Sequence, residues 1–281
     1  MQAARPNTRE TVRFSAVICK TAIKTQQEEA MKALITGASS GIGRDIAYEL
    51  AGRGCDLIIS ARREERLLAL KEKIPANVRV ITADLSKQEE CLRLYEETRG
   101  EDVDILINNA GYGVFGAFDE TVLSQEISML DVNIFSVHIL TKLFLKDFIQ
   151  KDSGYILNVA SSAGFMPGPL FASYYASKAY VLRLSQGIHE ELRKAGRNVY
   201  IGALCPGPVD TEFNATAGVR FGMNGLSSEY VAKYAVRKMF GGKTVIVPGA
   251  VMKAAHFFSK LLPDSIVAKM AYGIQKGKQG K

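Results

Sequence analysis

The stretch "KALITGASSGIG", residues 32–43, decides the fold class of this chain. Its first five residues form a short apolar run that is typical of a buried strand, and a glycine-rich turn follows. The next segment, Arg44–Arg53, has the apolar spacing of an amphipathic helix. A strand, a glycine turn and a helix in this order present backbone N–H groups and a helix N-terminus to an anion. The stretch therefore predicts an anion-binding turn at the carboxyl end of a first strand.

Alternating apolar runs and amphipathic segments continue from this turn to about residue 249. Six further runs are typical of buried strands: "DLIIS", "VRVIT", "VDILIN", "GYILNVA", "NVYIGAL" and "KTVIVP". Segments with helical periodicity lie between them, at Glu64–Lys73, Lys87–Arg99, Leu123–Gln150, Tyr174–Ala195 and Ser228–Phe240. Strand–helix alternation with short connections implies right-handed crossovers and a parallel sheet. We therefore predict one α/β domain over residues 31–249, a Rossmann-type doubly wound parallel sheet of about seven strands with helices on both faces.

The composition excludes several classes of function. The chain has 281 residues, of which 47% are hydrophobic and 23% charged, as in an ordinary globular protein. Its net charge of +7 comes mainly from residues 243–281, which hold seven Lys and one acidic residue. Residues 31–242 hold 24 basic and 25 acidic residues, so no nucleic-acid-binding groove is indicated. The four cysteines and three histidines lack metal-ligand or redox spacing, and we expect no metal and reduced thiols in a cytoplasmic protein.

The glycine turn has the spacing G-x-x-x-G-x-G, and five further motifs follow it along the chain. They are "NNAG" (Asn108–Gly111), "DVN" (Asp131–Asn133), "NVASSAG" (158–164), "YYASK" (174–178) and "CPGPVDTE" (Cys205–Glu212). In this order and at these distances the motifs resemble the short-chain dehydrogenase/reductase family, over about residues 31–250. The resemblance implies an enzyme that interconverts a secondary alcohol and a ketone with a nicotinamide cofactor, commonly as a homodimer or homotetramer formed through the fourth and fifth helices.

The resemblance also implies the cofactor contacts. The matching positions are Gly37, Ser39, Ser40, Gly41, Ile42, Gly43, Arg62, Asp84, Leu85, Asn109, Tyr174, Lys178, Pro206, Gly207, Val209 and Thr211. An acidic residue at the end of the second strand would bind the ribose 2′-hydroxyl of NAD, but this chain has "SARRE" there, residues 60–64. Guanidinium groups suit a 2′-phosphate, and Arg62 matches the position that reads it in family members, so we expect NADP(H). The alternative is that Arg62 and Arg63 bind no phosphate and are only solvent-exposed basic residues at the start of a helix.

Two adjacent tyrosines compete for the catalytic position. Lys178 follows Tyr174 by four residues and Tyr175 by three, and both spacings place side chains on one helix face. In the family, the catalytic serine is followed by x-A-G and lies thirteen residues before the tyrosine, as Ser161 does before Tyr174. We therefore assign Tyr174 as catalytic and expect Tyr175 to pack or to line a neighbouring surface. Ser162, the nearest rival to Ser161, is expected to be a turn hydroxyl.

The chemistry explains these residue types. Ketone reduction needs a proton for the developing alkoxide, and a tyrosine with a pKa of about 10 supplies it slowly at neutral pH. A nearby ammonium would lower that pKa, which is the role expected for Lys178; by resemblance it also holds the nicotinamide ribose. Ser161 would hydrogen-bond the carbonyl oxygen. By resemblance, Asn133 holds a water that connects Lys178 to solvent.

Two apolar segments bear on the substrate. A lid over residues 212–227 contains Phe213, Phe221 and Met223, and Phe165–Phe171 links the serine strand to the tyrosine helix. Apolar walls favour an apolar substrate, with a hydroxysteroid or lipid carbonyl as the leading hypothesis, although aromatic residues in loops also bury themselves against a core. A 3-oxoacyl reductase and a non-catalytic NADP(H)-sensing module are the alternatives.

The two ends of the chain differ from the domain. Residues 1–30 are polar and precede Met31 and the first strand, which favours a dispensable extension over a targeting peptide. Residues 250–281 form a basic tail with helical apolar spacing, interrupted at Pro263, with a second short helix expected from Asp264. Such a tail fits three roles: cover for the substrate pocket, contact with another subunit, or peripheral contact with a membrane.

Overall fold

The computed structural model describes residues 30–218, 225–259 and 261–277. From Met31 onward these residues belong to one compact unit, which includes the tail. The predictions for residues 1–29, and for Phe221 and Met223 in the lid, lie outside the described residues.

A parallel sheet forms the centre of the unit. The strands are β1 (Lys32–Thr36), β2 (Asp56–Ala61), β3 (Val78–Thr82), β4 (Ile105–Asn108), β5 (Gly154–Val159), β6 (Val199–Leu204), β7 (Val209–Asp210), β8 (Leu226–Ser227) and β9 (Val245–Ile246). Seven of them pair in the order β3-β2-β1-β4-β5-β6-β9, all parallel, while β7 and β8 pair separately. The chain reverses its direction of winding between β1 and β4, which leaves a crevice at the carboxyl ends of these strands.

Helices cover both faces of the sheet. They are α1 (Gly41–Ala51), α2 (Glu64–Lys71), α3 (Gln88–Thr98), α4 (Leu123–Lys151), α5 (Ala172–Lys194), α6 (Phe213–Thr216), α7 (Ser228–Phe240), α8 (Ala250–Ser259) and α9 (Asp264–Lys276). One apolar core packs α1, α2 and α7 on the sheet, and a second packs α3 and α4 on the opposite face. The predicted fold class, a doubly wound seven-stranded parallel sheet, is confirmed.

Helix α4 is the longest element and deviates once from α-helical geometry. It spans 29 residues with a mean hydropathy of 1.4 in its most apolar window, long and apolar enough to cross a membrane. However, Leu140, Phe144 and Phe148 lie in the core of this domain, as expected for a core helix. Its residues Asp131–Ser136 form a π-helical turn, a feature that is frequent at functional sites.

Three local features differ from or refine the sequence expectations. Helix α1 begins at Gly41 rather than at the predicted Arg44, because the glycine turn itself supplies the first helical residues. The pair β7–β8 was not predicted, since two-residue strands leave no periodic signal. The predicted break at Pro263 is confirmed, and α9 begins at Asp264.

Candidate active site

A cavity of about 900 Å³ occupies the crevice at the carboxyl ends of β1, β4, β5 and β6. Sequence-predicted residues that line it are Gly37, Ser39, Ser40, Gly41, Ile42, Arg62, Asp84, Leu85, Asn109, Ser161, Tyr174, Lys178, Pro206, Gly207, Val209 and Thr211. The two other predicted site residues, Gly43 and Asn133, lie behind the lining. The fold thus brings together positions that are up to 174 residues apart in sequence (Gly37 and Thr211).

The glycine turn depends on the absence of side chains. Gly37 has a φ of +65°, and a Cβ there would come within 2.8 Å of the Ala110 backbone. A Cβ on Gly43 would collide with the side chain of Asn109. Asn109 donates from Nδ2 to the carbonyl oxygens of Thr36 and Gly37, at 3.0 Å each. Asn109 therefore braces the turn against β4, and the bare backbone before α1 fits a cradle for the phosphates of a dinucleotide.

The two arginines after β2 have different surroundings. Arg63 donates to Ser39 Oγ at 3.2 Å and to Glu212 Oε2 at 3.0 Å, and Arg66 also pairs with Glu212. The guanidinium groups of Arg66 and Arg63 hold the pKa of Glu212 below its usual range. Arg62 is exposed, lines the cavity, and has no hydrogen bond or ion pair to any other described residue. Its guanidinium is therefore the one of the two that is available to a phosphate.

The walls next to the glycine turn are built from short loops. Asp84 accepts hydrogen bonds from Ser86, through the backbone N–H at 3.3 Å and the hydroxyl at 2.9 Å, which orient its carboxylate after β3. The backbone N–H of Ser162 donates to the carbonyl of Pro206 at 2.8 Å and joins the loops after β5 and β6. Gly207 packs against α8, since a Cβ there would come within 2.6 Å of the Met252 sulfur.

The three residues predicted to carry the chemistry converge on one wall. Ser161 follows β5 and accepts a hydrogen bond from the backbone N–H of Ala163 at 3.1 Å. Tyr174 and Lys178 lie one turn apart on the buried face of α5. Lys178 is 4% exposed; its ammonium donates to the carbonyl of Val159 at 2.9 Å and lies 5.8 Å from the centroid of the Tyr174 ring.

Burial controls the protonation of this wall. It raises the pKa of the Tyr174 phenol above its ordinary value, and a hydrogen bond with Ser161 acts in the opposite direction. Burial also lowers the pKa of Lys178 to about 8. The pKa of Tyr174 therefore lies above its ordinary value, because desolvation of the phenol outweighs its hydrogen bond with Ser161, and the expectation that Lys178 lowers this pKa stays a prediction. Tyr174 is held here in its neutral, proton-donating form.

Asn133 lies beneath this wall and holds the neighbouring loop in place. It lies in the π-helical turn of α4, fully buried, and donates from Nδ2 to the carbonyl of Tyr112 at 2.9 Å and to Ser177 Oγ at 3.1 Å. Its Oδ1 accepts from the backbone N–H of Tyr112 at 3.1 Å. A Cβ on Gly111 would come within 2.9 Å of Asn133 Oδ1 and 3.2 Å of Lys178 Nζ. Asn133 thus fixes the loop after β4 against α5; the predicted water relay stays a prediction.

Aromatic rings and the tail enclose the rest of the cavity. Phe171 stacks on Tyr174 with ring centroids 4.5 Å apart, and Phe213 lies 5.4 Å from the same ring. Tyr175 also lines the cavity and contacts the tail, where Gln275 of α9 donates to its hydroxyl at 2.5 Å. Tail residues that line the cavity are Met252, Ala255, Gly273, Ile274 and Gly277. Cover for the pocket is thus one of the tail's roles.

Sequence reasoning did not single out several of these residues. Gly111 lies inside the quoted "NNAG" motif, so its position was available, but its contact with Lys178 depends on how α5 packs. Gln275 is 1% exposed and lies 100 residues from its partner Tyr175, and a glutamine in a lysine-rich tail carries no signal of burial. Only the helical periodicity of the tail indicated that one of its faces would be covered.

No group of three or more His, Cys, Asp or Glu is placed to hold a metal ion anywhere in residues 30–218, 225–259 and 261–277. The three described cysteines, Cys55, Cys91 and Cys205, are buried free thiols. Burial raises the pKa of Cys91 to about 12 and that of Cys205 to about 12, which makes both thiols unreactive as nucleophiles at neutral pH.

Comparison with known proteins gives consistent results. The family model described as short chain dehydrogenase matches residues 31–219. A protein of Staphylococcus saprophyticus named as an uncharacterized oxidoreductase is 36% identical over 64% of this chain and 78% of its own length. The 11-beta-hydroxysteroid dehydrogenase-like 3 protein of Arabidopsis thaliana is 32% identical over 83% of this chain and 78% of its own. A short-chain dehydrogenase from Sphingobium yanoikuyae, solved in complex with NADPH, superposes with a TM-score of 0.73 and 31% identity over 78% of this chain and 88% of that one.

Proposed function

The chain belongs to the short-chain dehydrogenase family of oxidoreductases, and on that premise we propose that it is an NADP(H)-dependent enzyme that interconverts a secondary alcohol and a ketone on an apolar substrate. A hydroxysteroid or related lipid carbonyl is the leading substrate class. The observation that carries this proposal is the convergence of Ser161, Tyr174 and Lys178 on one wall of a cavity whose other end is the glycine-rich turn before α1.

The residues of the wall divide the chemistry between them. When bound, the nicotinamide supplies or accepts the hydride. The Tyr174 hydroxyl donates its proton to the ketone oxygen as negative charge develops there, and Ser161 donates a second hydrogen bond to that oxygen. The ammonium of Lys178, held by the Val159 carbonyl, stabilises the phenolate that proton donation leaves behind. Asn133 and Gly111 keep the loop after β4 in place so that these groups stay aligned.

The choice of NADP(H) rests on charge at the end of β2. Ala61 offers no carboxylate to the ribose 2′-hydroxyl, and Arg62 lines the cavity without a partner in the described part of the chain. Arg63 is held between Ser39 and Glu212, so Arg62 is the residue that we assign to the 2′-phosphate.

An apolar substrate is supported by the rings and aliphatic side chains around Tyr174. Phe171 and Phe213 flank the phenol, and Met252 and Ile274 of the tail close the far side. The likeness to a hydroxysteroid dehydrogenase-like protein extends over most of both chains, which favours this class over a 3-oxoacyl reductase. A pocket lined in this way gains most from a bulky, rigid ketone.

We also propose that two or more copies associate. The family resemblance predicts association through α4 and α5. Both helices carry large exposed apolar side chains: Leu123, Ile127 and Phe135 on α4, and Tyr180 on α5. Light scattering on the purified protein would give the mass directly, and a monomer would contradict this assembly. A cytoplasmic location stays a prediction.

The experiment that tests the proposed function is NADPH oxidation, followed by absorbance, with a steroid ketone, a 3-oxoacyl thioester and a small ketone. We expect the steroid ketone to give the highest kcat/KM and NADPH to exceed NADH. Preference for the thioester would support the 3-oxoacyl reductase instead. NADPH binding without turnover on any substrate would support the sensing module.

A further inference from the structure

The tail carries an unusual share of the exposed apolar surface. Of the twenty large apolar side chains that are exposed in the described part of the chain, nine lie between residues 251 and 274. They are Val251, Phe257, Phe258, Leu261, Leu262, Ile266, Met270, Tyr272 and Ile274. Phe257 is 61% exposed and Phe258 is 59% exposed. Exposed apolar surface concentrated in this way marks an interaction site.

Each tail helix turns one face inward and a different apolar face outward. In α9, Val267, Ala271 and Gln275 recur every four residues and are buried against the domain. The adjacent stripe, Ile266, Met270 and Ile274, has the same spacing and is exposed. In α8, Met252 and Ala255 line the cavity, whereas the neighbouring Val251, Phe257 and Phe258 are exposed. The inner faces anchor the helices and leave the outer faces uncovered.

The charge around these outer faces has one sign. Lys253, Lys269 and Lys276 are exposed on the two helices, and Asp264 is the only acidic residue between 250 and 277. An apolar face bordered by lysines is complementary to the acyl chains and anionic headgroups of a bilayer. Interfaces between proteins instead commonly pair charges of both signs at the rim.

The outer face also meets the cavity at Ile274. Ile274 is 63% exposed as part of the apolar stripe and lines the cavity as well. Gly273 and Gly277, on either side of it, line the cavity without side chains. An apolar substrate that entered here would pass directly from the outer face to the wall that holds Tyr174.

We infer that the outer faces of α8 and α9, with Leu261 and Leu262 between them, form a membrane-docking surface that admits apolar substrate from an anionic bilayer to the cavity. The substrate part of this inference rests on the proposed function. A second copy of the chain is the less favoured occupant, because the exposed side chains of Leu123, Ile127 and Phe135 on α4 are a separate surface available for self-association. The like charges of two such tails would also repel each other.

The test compares vesicle binding by the full-length wild type and by the double variant Phe257→Ser/Phe258→Ser. Neither phenylalanine lines the cavity, so the variant should retain turnover of a small water-soluble ketone. The matched control is Leu68→Ser/Leu92→Ser, which removes two half-exposed leucines from α2 and α3. Each protein is sedimented with phosphatidylcholine vesicles that contain no phosphatidylserine or about 30% of it, in about 0.1 M and about 0.5 M salt.

We expect the wild type and the control to bind the anionic vesicles, more weakly at the higher salt concentration. The phenylalanine variant should bind at least about tenfold less, because two aromatic side chains no longer enter the acyl region. Wild type that fails to bind either vesicle, or a phenylalanine variant that binds as well as the control, overturns the inference. A change in oligomeric mass of the phenylalanine variant, with unchanged vesicle binding, would also overturn it and identify a subunit contact.

The same preparations separate this inference from the proposed function. Turnover of the soluble ketone without vesicle binding contradicts only the docking surface. Vesicle binding without turnover of any ketone contradicts the proposed function and leaves the docking surface standing. A steroid ketone supplied within the vesicles tests whether docking delivers the substrate. The phenylalanine variant should reduce it about tenfold more slowly than the wild type, and the control should reduce it as fast as the wild type.

Discussion

The wall of α5 and the tail helices enclose the same cavity but are held in place in different ways. On α5, Tyr174 and Lys178 are buried, and Lys178 is bonded to the Val159 carbonyl and packed against Gly111. On the tail, α8 buries no residue fully, and α9 is anchored by Val267, Ala271 and Gln275 alone. A buried, multiply bonded wall suits chemistry that needs fixed distances, whereas a lightly anchored cover suits entry and release of substrate.

The largest effect should come from Tyr174. Replacement by Phe removes the proton donor without changing the ring, so kcat should fall by about 10²–10⁴-fold. Tyr175→Phe is the matched control, since it removes the adjacent hydroxyl, and its kcat should stay within about twofold of wild type. NADPH oxidation at saturating ketone measures both. The reverse result would move the catalytic role to Tyr175 and assign the chemistry to the side of α5 that faces the tail.

Arg62 should give the next largest effect, confined to the cofactor. Arg62→Ala removes a guanidinium from the site assigned to the 2′-phosphate, so the KM for NADPH should rise about tenfold or more while the KM for NADH changes little. Arg53→Ala, which breaks the surface pair with Glu49 on α1, is the control. Equal changes for both cofactors would show that Arg62 does not read the phosphate.

The protonation of Lys178 should appear in the pH profile. Its pKa is lowered to about 8, so its ammonium form is lost as the pH rises above about 8. Ketone reduction should then slow by up to about tenfold per pH unit, because a neutral amine no longer stabilises the Tyr174 phenolate. NADPH affinity, followed by fluorescence over the same range, separates this effect from loss of cofactor. A rate that stays level up to pH of about 10 would exclude the role given to Lys178.

The smallest effect should come from the contact that holds the tail on α5. Gln275→Leu removes the hydrogen bond to Tyr175, so the KM for a bulky ketone should rise about three- to tenfold while kcat stays within about twofold. Gln150→Leu, at an exposed position near the end of α4, is the control. A loss of kcat comparable to that of Tyr174→Phe would mean that the tail takes part in the chemical step.

The positions of the strands and the helix break in the tail were predictable from the local pattern of apolar residues, turns and proline. The strands are short apolar runs between turns, and the five central ones, β1, β2, β4, β5 and β6, are buried along nearly their whole length, which made them visible without any periodicity. The break at Pro263 followed from the missing N–H and the fixed φ of proline. Both predictions needed only residues that are close together in the sequence.

The electrostatics of the site were not predictable in the same way. The spacing of Tyr174 and Lys178 suggested an ammonium that lowers the pKa of the phenol. In the structure both groups are buried, so the pKa of Tyr174 is raised and that of Lys178 is lowered. The burial of these two side chains depends on everything that packs around α5, including the rings of Phe171 and Phe213. The motif itself contains no signal of that burial.

By itself, the sequence determined the doubly wound sheet, the glycine turn and the order of Ser161, Tyr174 and Lys178, because strand pattern, turn chemistry and helical spacing are local properties of the chain. Only the tertiary structure decided that α9 lies over Tyr175, that Gln275 is buried there, and that Phe257 and Phe258 face outward. The periodicity of the tail predicted helices with an apolar face. Which face a helix buries depends on the surface it meets, and in this chain that surface is built by residues about 100 positions away.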